Sequence, residues 1–142
     1  MSYQTLPKLL AGIDLFSGVS DDVISDLVSA GTTFTTPPGG TAVAQDSSSA
    51  GLQVVIEGTA EVEVNGVRRP AMGPGQYFGE ISVIDGAGRS ATVTAGADGL
   101  KTFAVSPMNF NSLIDKHPAL ARSLLKVLCA RIRSLESVNQ PH

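Results

Sequence analysis

The stretch Gly73–Ala95 reads GPGQYFGEISVIDGAGRSATVTA. It sets one glutamate, Glu80, and one arginine, Arg89, nine positions apart among glycines, small hydroxyl residues and apolar side chains. Gly79 is expected to open a short helix over 79–84, between two strands. A helix start preceded by glycine offers free backbone N–H groups to an anion, and the missing Cβ lets that anion approach closely. Arg89 supplies a forked, permanently charged partner for a phosphate, and Ser90 a further donor. Glu80 cannot favour a phosphate by charge, so its natural role is to accept hydrogen bonds from hydroxyls. Helix start plus arginine for phosphate, with glutamate for a sugar, describes a nucleotide site. The alternative for the same residues is a Glu80–Arg89 salt bridge, with the glycines serving as turns.

Around this stretch, from Thr32 to Val105, the chain runs in short segments rich in Val, Thr and Ile and broken by Gly, Pro and Asn. Seven strands are predicted: Thr32–Thr36, Thr41–Ala44, Gln53–Glu57, Ala60–Val64, Val67–Pro70, Ala91–Ala95 and Thr102–Val105. Asn65-Gly66 between two of them is a strong hairpin signal, because both turn positions favour positive φ. Pro37-Pro38-Gly39-Gly40 and Asp46–Gly51 read as loops. Many short strands at close spacing point to a mostly β fold, a sandwich or barrel of jelly-roll type with flanking helices.

Both ends are helical. Leu6, Leu9, Leu10 and Ile13 recur at helical spacing, then Ser20 is placed to cap Asp21–Ser29, with Asp21 and Asp22 suiting the helix dipole and Gly31 ending it. Ser106 caps a second helical region with Pro107 at its first position, and Phe110, Leu113 and Ile114 supply its apolar stripe. Pro118 restarts the chain as a longer helix to about Ser137. Within it Ala121, Leu125, Leu128, Ile132 and Leu135 alternate spacings of four and three, the period of a coiled-coil seam. That seam suits packing back on the β structure and dimerisation about equally.

The 142 residues are 42% hydrophobic and 16% charged, with a formal charge of −3. This length suits one domain over 1–142, with helices in 1–30, strands in 32–105 and helices in 106–137. Composition excludes collagen-like, disordered and disulfide-stapled classes. No apolar run approaches the ~20 residues that cross a bilayer, and Met1–Ala11 lacks a basic start followed by a long apolar stretch. The lone cysteine, Cys129, forbids an internal disulfide and fits a reducing compartment. A cytoplasmic location is therefore expected, with Cys129 as a core thiol. Residues 1–100 carry 11 acidic and 4 basic side chains, and 101–142 carry 2 and 6. The basic residues are spaced along a helix rather than clustered, which favours a solvated helix face over a nucleic-acid patch.

Phe78–Val93, FGEISVIDGAGRSATV, closely resembles the phosphate-binding cassette of the cyclic nucleotide-binding domain family. The Gly79-Glu80 pair, Arg89, the following Ser90-Ala91 and the spacing between them match that family's pattern. Asp14-Leu15-Phe16, Pro38-Gly39-Gly40, Val54–Gly58 and Gly73-Pro74-Gly75 resemble its other landmarks, so the likeness runs from about Leu9 to Leu135. It implies an eight-stranded β-roll (a double-stranded β-helix) flanked by helices. It also implies that Glu80 accepts the ribose 2′-hydroxyl and that Arg89 pairs with a cyclic phosphate oxygen. Phe78 opens the cassette; Gly79, Ile81 and Ser82 present backbone N–H groups, and Ser90, followed by Ala91, reaches the phosphate or the base edge. Val62, Arg69 and Pro70 fall where the family contacts base and ribose from the roll. Arg131 and Leu135 fall near the last-helix position that closes over the purine. Where the family usually has proline before the arginine, this chain has Gly88, which leaves the loop aiming Arg89 more conformations to freeze on binding.

The resemblance implies a cyclic nucleotide as ligand, cAMP first and cGMP second, with no further cofactor. The implied activity is that of a sensor whose cassette, through Ile81, Val83 and Ile84, acts on Leu124, Leu128 and Ile132 of the last helix. A ligand-free domain serving protein interaction is the alternative, or a regulatory piece of a channel, kinase, acetyltransferase or transcription factor. After the long helix only Val138–His142 remain, so no DNA-reading helix-turn-helix is expected within these residues. Catalysis is not expected: the two histidines, His117 and His142, form no cluster with carboxylates or Cys129 that would hold a metal or activate a nucleophile.

Overall fold

The computed structural model describes residues 6–43, 51–80 and 91–139. Helix α1 (Leu6–Ala11), a 3-10 turn (Asp14–Phe16) and α2 (Asp21–Ala30) lead into six strands. These are β1 (Thr32–Thr36), β2 (Thr41–Val43), β3 (Leu52–Val64), β4 (Val67–Met72), β5 (Tyr77–Phe78) and β6 (Thr92–Val105). Helices α3 (Pro107–Lys116) and α4 (Pro118–Asn139) follow. Every strand pairing is antiparallel: β1-β6-β3-β4 in order, with β2 on β6 and β5 on β3.

The two long strands form the spine, paired from Leu52↔Val105 to Glu63↔Thr92. Each was expected as two separate strands, divided at its glycines. The structure joins them because these glycines bend the ladder without breaking it. Gly58 pairs with Leu100, next to Gly99; the two glycines have φ of +84° and +79°, and the register shifts on both sides of Gly58. A Cβ on Gly58 would fall 2.2 Å from the Gly99 carbonyl oxygen, so only glycine fits this bulge. The bend lets one half of β3 pair with β5 while the other pairs with β4, and lets β6 take β1 and β2 in the same way. Counting each long strand on both sides of its bend gives the eight segments of a β-roll. The Asn65-Gly66 turn forms as its residue types require, with φ of 51° and 80° and Val64 facing Val67.

Period-two alternation divides the core. Leu52, Val54 and Ile56 face the helices, where they join Leu10, Leu15, Phe16, Leu27, Phe110, Leu120 and Leu124. Val55 points the other way, into the roll, with Ala60, Val62, Phe78, Val93, Ala95 and Leu100. The buried Gln53 is satisfied there by the Thr102 hydroxyl, 2.9 Å from its Oε1.

Ser20 occupies the N-cap of α2 but makes no side-chain capping bond. Gly31 ends that helix with extended backbone, and its missing side chain matters for space: a Cβ would lie 2.2 Å from the Phe103 ring. Ser106 does cap α3, accepting from the Asn109 N–H at 3.1 Å. At the α3–α4 corner, His117 Nε2 and Lys116 Nζ lie 2.7 and 2.9 Å from Asp26 Oδ2 of α2. These contacts, His117 first, hold the Asp26 carboxyl below its usual range. Helix α4 packs through Leu120, Ser123 and Leu124, with the Ser123 hydroxyl donating to the Ser17 carbonyl at 2.6 Å. Cys129, expected as a core thiol, is exposed, because it lies on a face of α4 away from that contact. Among the described residues no helix is long and apolar enough to cross a membrane.

If the bulge is what bends the sheet, Gly58→Ala destabilises the fold by about 2 kcal/mol or more, from both the positive φ and the carbonyl contact. Gly73→Ala, with open space at its Cβ and no positive φ, stays within about 0.5 kcal/mol of the parent. Thermal and urea denaturation of the two variants check the contrast.

Candidate functional site

The site is assembled by a four-residue turn. Pro74 and Gly75 (φ +88°) occupy its centre, and the Gln76 N–H closes it on the Gly73 carbonyl at 3.1 Å. Proline followed by glycine at positive φ is the residue pair of a type II turn. The turn is pinned to β3 by Gly75 N–H to Val55 O at 2.9 Å and Val55 N–H to Gln76 O at 2.8 Å. It thereby lays β5 on β3, with Tyr77 opposite Val54 and Phe78 opposite Gln53.

Adjacent strand residues point to opposite faces, so this two-residue strand sends its aromatic rings to different places. Phe78 enters the roll interior beside Val55, Val62 and Val93, and Tyr77 packs against the helical side. Gly79 then adopts φ +89°, and Glu80 follows in helical conformation, only 8% exposed. A carboxylate this far from water needs a charged partner. It has one: Arg131 of α4 donates through Nη1 to Glu80 Oε1.

Arg131 is itself held by Tyr77. Its Nη2 donates to the phenol oxygen at 3.3 Å, and the guanidinium carbon stands 5.7 Å from the ring centroid, within cation–π range. The phenol donates in turn to Asp14 Oδ1 of the 3-10 turn at 2.7 Å. Burial, helped by the bond and charge of Asp14, pushes the Tyr77 phenol well above its usual value, so it remains a donor at neutral pH. For Arg131 burial works toward the neutral form, but Glu80 and Tyr77 together outweigh it and the guanidinium is held above its ordinary value. Asp14, Tyr77, Arg131 and Glu80 thus form one hydrogen-bonded chain joining the 3-10 turn, β5, the start of the cassette and α4.

The remaining residues picked out from sequence fall in three groups. Val62, Phe78 and Ala91 meet in the roll interior, whereas Arg69, opposite Val62 on β4, and Pro70 are exposed. Leu135 lies on α4 with 63% exposure, and Leu125 and Ile132 are also exposed. Ile81, Ser82, Arg89 and Ser90, with Val83 and Ile84, lie outside the described residues. Asp14 and Tyr77 were not read from sequence as site residues. The available signal was the alternation of Tyr77 and Phe78, legible only once 77–78 is recognised as a strand. Among the described residues no group of His, Cys, Asp and Glu could hold a metal ion.

Comparison with known proteins bears on the same segment. A family model described as cyclic nucleotide-binding domain matches residues 34–117. The chain belongs to that family. Over 125 residues this cyclic nucleotide-binding domain is 30% identical to a cyclic nucleotide-gated potassium channel of Mesorhizobium japonicum, covering 87% of this chain and 34% of the channel. It is 26% identical over 136 residues to a CRP-like cAMP-activated global transcriptional regulator of Mycobacterium tuberculosis, covering 90% of this chain and 59% of the regulator. Among solved structures, the catabolite activator protein of Thermus thermophilus superposes with a TM-score of 0.76 at 26% identity, over 87% of this chain and 60% of that one. The chain therefore spans less than two-thirds of the length of each of these relatives. The family is regulatory, and its β-roll is the fold described above.

Because Glu80 is buried and Arg131 half-exposed, Arg131→Ala is expected to cost on the order of 1–2 kcal/mol, between the values for surface and fully buried pairs. Glu80→Gln in the same chain recovers part of that loss by removing the stranded charge. A double-mutant cycle in urea, showing coupling of about 1 kcal/mol, checks the pair.

Proposed function

We propose that this chain is a sensor that binds a 3′,5′-cyclic nucleotide, cAMP, within one domain over 1–142, and repositions its C-terminal helices in response. The observation that carries this reading is Glu80, a buried carboxylate at the start of the cassette, hydrogen-bonded to a residue of α4. A carboxylate with one oxygen engaged keeps acceptor capacity on the other, which suits a ribose 2′-hydroxyl. Arg89, with Ser90 and the backbone N–H groups of Gly79, Ile81 and Ser82, takes the cyclic phosphate. Val62, Arg69 and Pro70 serve the base and ribose from the roll. Anything that shares Glu80 with Arg131 bears on the position of α4, so the ligand has a differential interaction with which to shift that helix. The name of the mycobacterial relative, a cAMP-activated regulator, and the bacterial type of the cassette favour adenine over guanine. We place the protein in the cytoplasm, in keeping with its single cysteine.

A second copy of the chain is the proposed partner of α4. Leu125, Ile132 and Leu135 are 61%, 55% and 63% exposed, whereas Leu128, which with them alternates spacings of three and four, is partly buried against the core that takes Leu120 and Leu124. The domain takes Leu120, Leu124 and part of Leu128, which leaves Leu125, Ile132 and Leu135 of the seam for dimerisation. Sedimentation should show a dimer that Leu125→Lys with Ile132→Lys converts to monomer; an unaltered monomer for the parent chain would remove the proposal.

Calorimetric titration with cAMP and cGMP tests the ligand. Saturable binding is expected, tighter for cAMP, and weakened about ten- to a hundredfold by Arg89→Ala through loss of a charge-assisted bond. Flat traces for both nucleotides would mean a ligand-free domain acting as a protein-interaction module.

A further inference from the structure

We infer that Tyr77, anchored by Asp14, is the positioning residue that fixes Arg131 on Glu80 and so pre-sets the carboxylate for the ribose hydroxyl. The inference rests on the nucleotide reading of Glu80 and adds to it a determinant outside the cassette. Tyr77 holds Arg131 in two ways, by the ring beneath the guanidinium and by the phenol oxygen that accepts from Nη2. The phenol has a single proton, which it donates in a hydrogen bond to Asp14 Oδ1 at 2.7 Å. That leaves the oxygen lone pairs for Arg131 and fixes the direction in which the phenol donates. Asp14 belongs to the 3-10 turn, whose Leu15 and Phe16 are fully buried, so the anchor itself is rigid. A carboxylate already oriented by such a chain has less freedom to lose when a ligand hydroxyl arrives.

The test compares cAMP with 2′-deoxy-cAMP, which lacks the hydroxyl that Glu80 would accept. Tyr77→Phe keeps the ring and removes both phenol bonds. It should weaken cAMP binding about three- to tenfold and leave 2′-deoxy-cAMP unchanged, so that discrimination between the two shrinks. Asp14→Ala should reproduce this effect, and Asp14→Asn, which retains an acceptor oxygen, should restore most of the discrimination. Equal weakening of both nucleotides, or no weakening of either, would overturn the positioning role while leaving the nucleotide site intact. Failure of the unaltered chain to bind either nucleotide would overturn the nucleotide reading itself and this inference with it. Melting temperatures of the three variants separate loss of folding from loss of discrimination.

Discussion

A carboxylate held out of water must find a cation, and in this protein the cation comes from 51 residues away. Glu80 is pinned by the Gly73–Gln76 turn and by β5, both fastened to β3. Arg131 arrives on α4, whose placement depends on Leu120 and Leu124 entering the same core as the 3-10 turn. The ion pair therefore forms only when roll, N-terminal helices and C-terminal helices are all in place. Breaking it strands a buried charge, which costs more than the pair contributes relative to an apolar replacement.

The roll supplies the geometry that makes such a meeting available. Bulges at Gly58 and Gly99 bend two long strands, so one sheet encloses an apolar interior on one face and presents the other to the helices. At β5 this two-sidedness shrinks to a pair of neighbouring residues. Phe78 belongs to the interior and Tyr77 to the helical side, so a single two-residue strand touches both cores. A site built at that point is sensitive to the packing on each face.

The same helix that reaches into the site also carries exposed apolar side chains. Leu120 and Leu124 are covered by the domain, whereas Leu125, Ile132 and Leu135 remain open to solvent. A ligand that acts through Glu80 and Arg131, as proposed above, would reach a helix whose exposed leucines and isoleucine are still to be covered. Among the relatives are a channel and a transcriptional regulator, each longer than this chain, so similar domains occur in proteins of different kinds.

Much of this was legible in the residues themselves. Turn chemistry at Asn65-Gly66, the Ser106-Pro107 start of α3 and the β-rich middle are local, and local sterics and hydrogen bonding settle them. The glycines at 58 and 99 could be recognised as irregularities but not as bulges, because a bulge is defined by the strand opposite. The reading of Cys129 as a core thiol fails, since an apolar-rich helix does not say which of its faces the domain covers. Nor could sequence join Asp14, Tyr77, Arg131 and Glu80: they stand in the 3-10 turn, in the two-residue strand β5, on α4 and just after β5. Pattern and spacing determined the kind of elements and the kind of chemistry, because those follow from neighbouring residues. Which acid faces which base was decided by the tertiary structure alone, because burial and distance between residues remote in the chain exist only once the elements have packed.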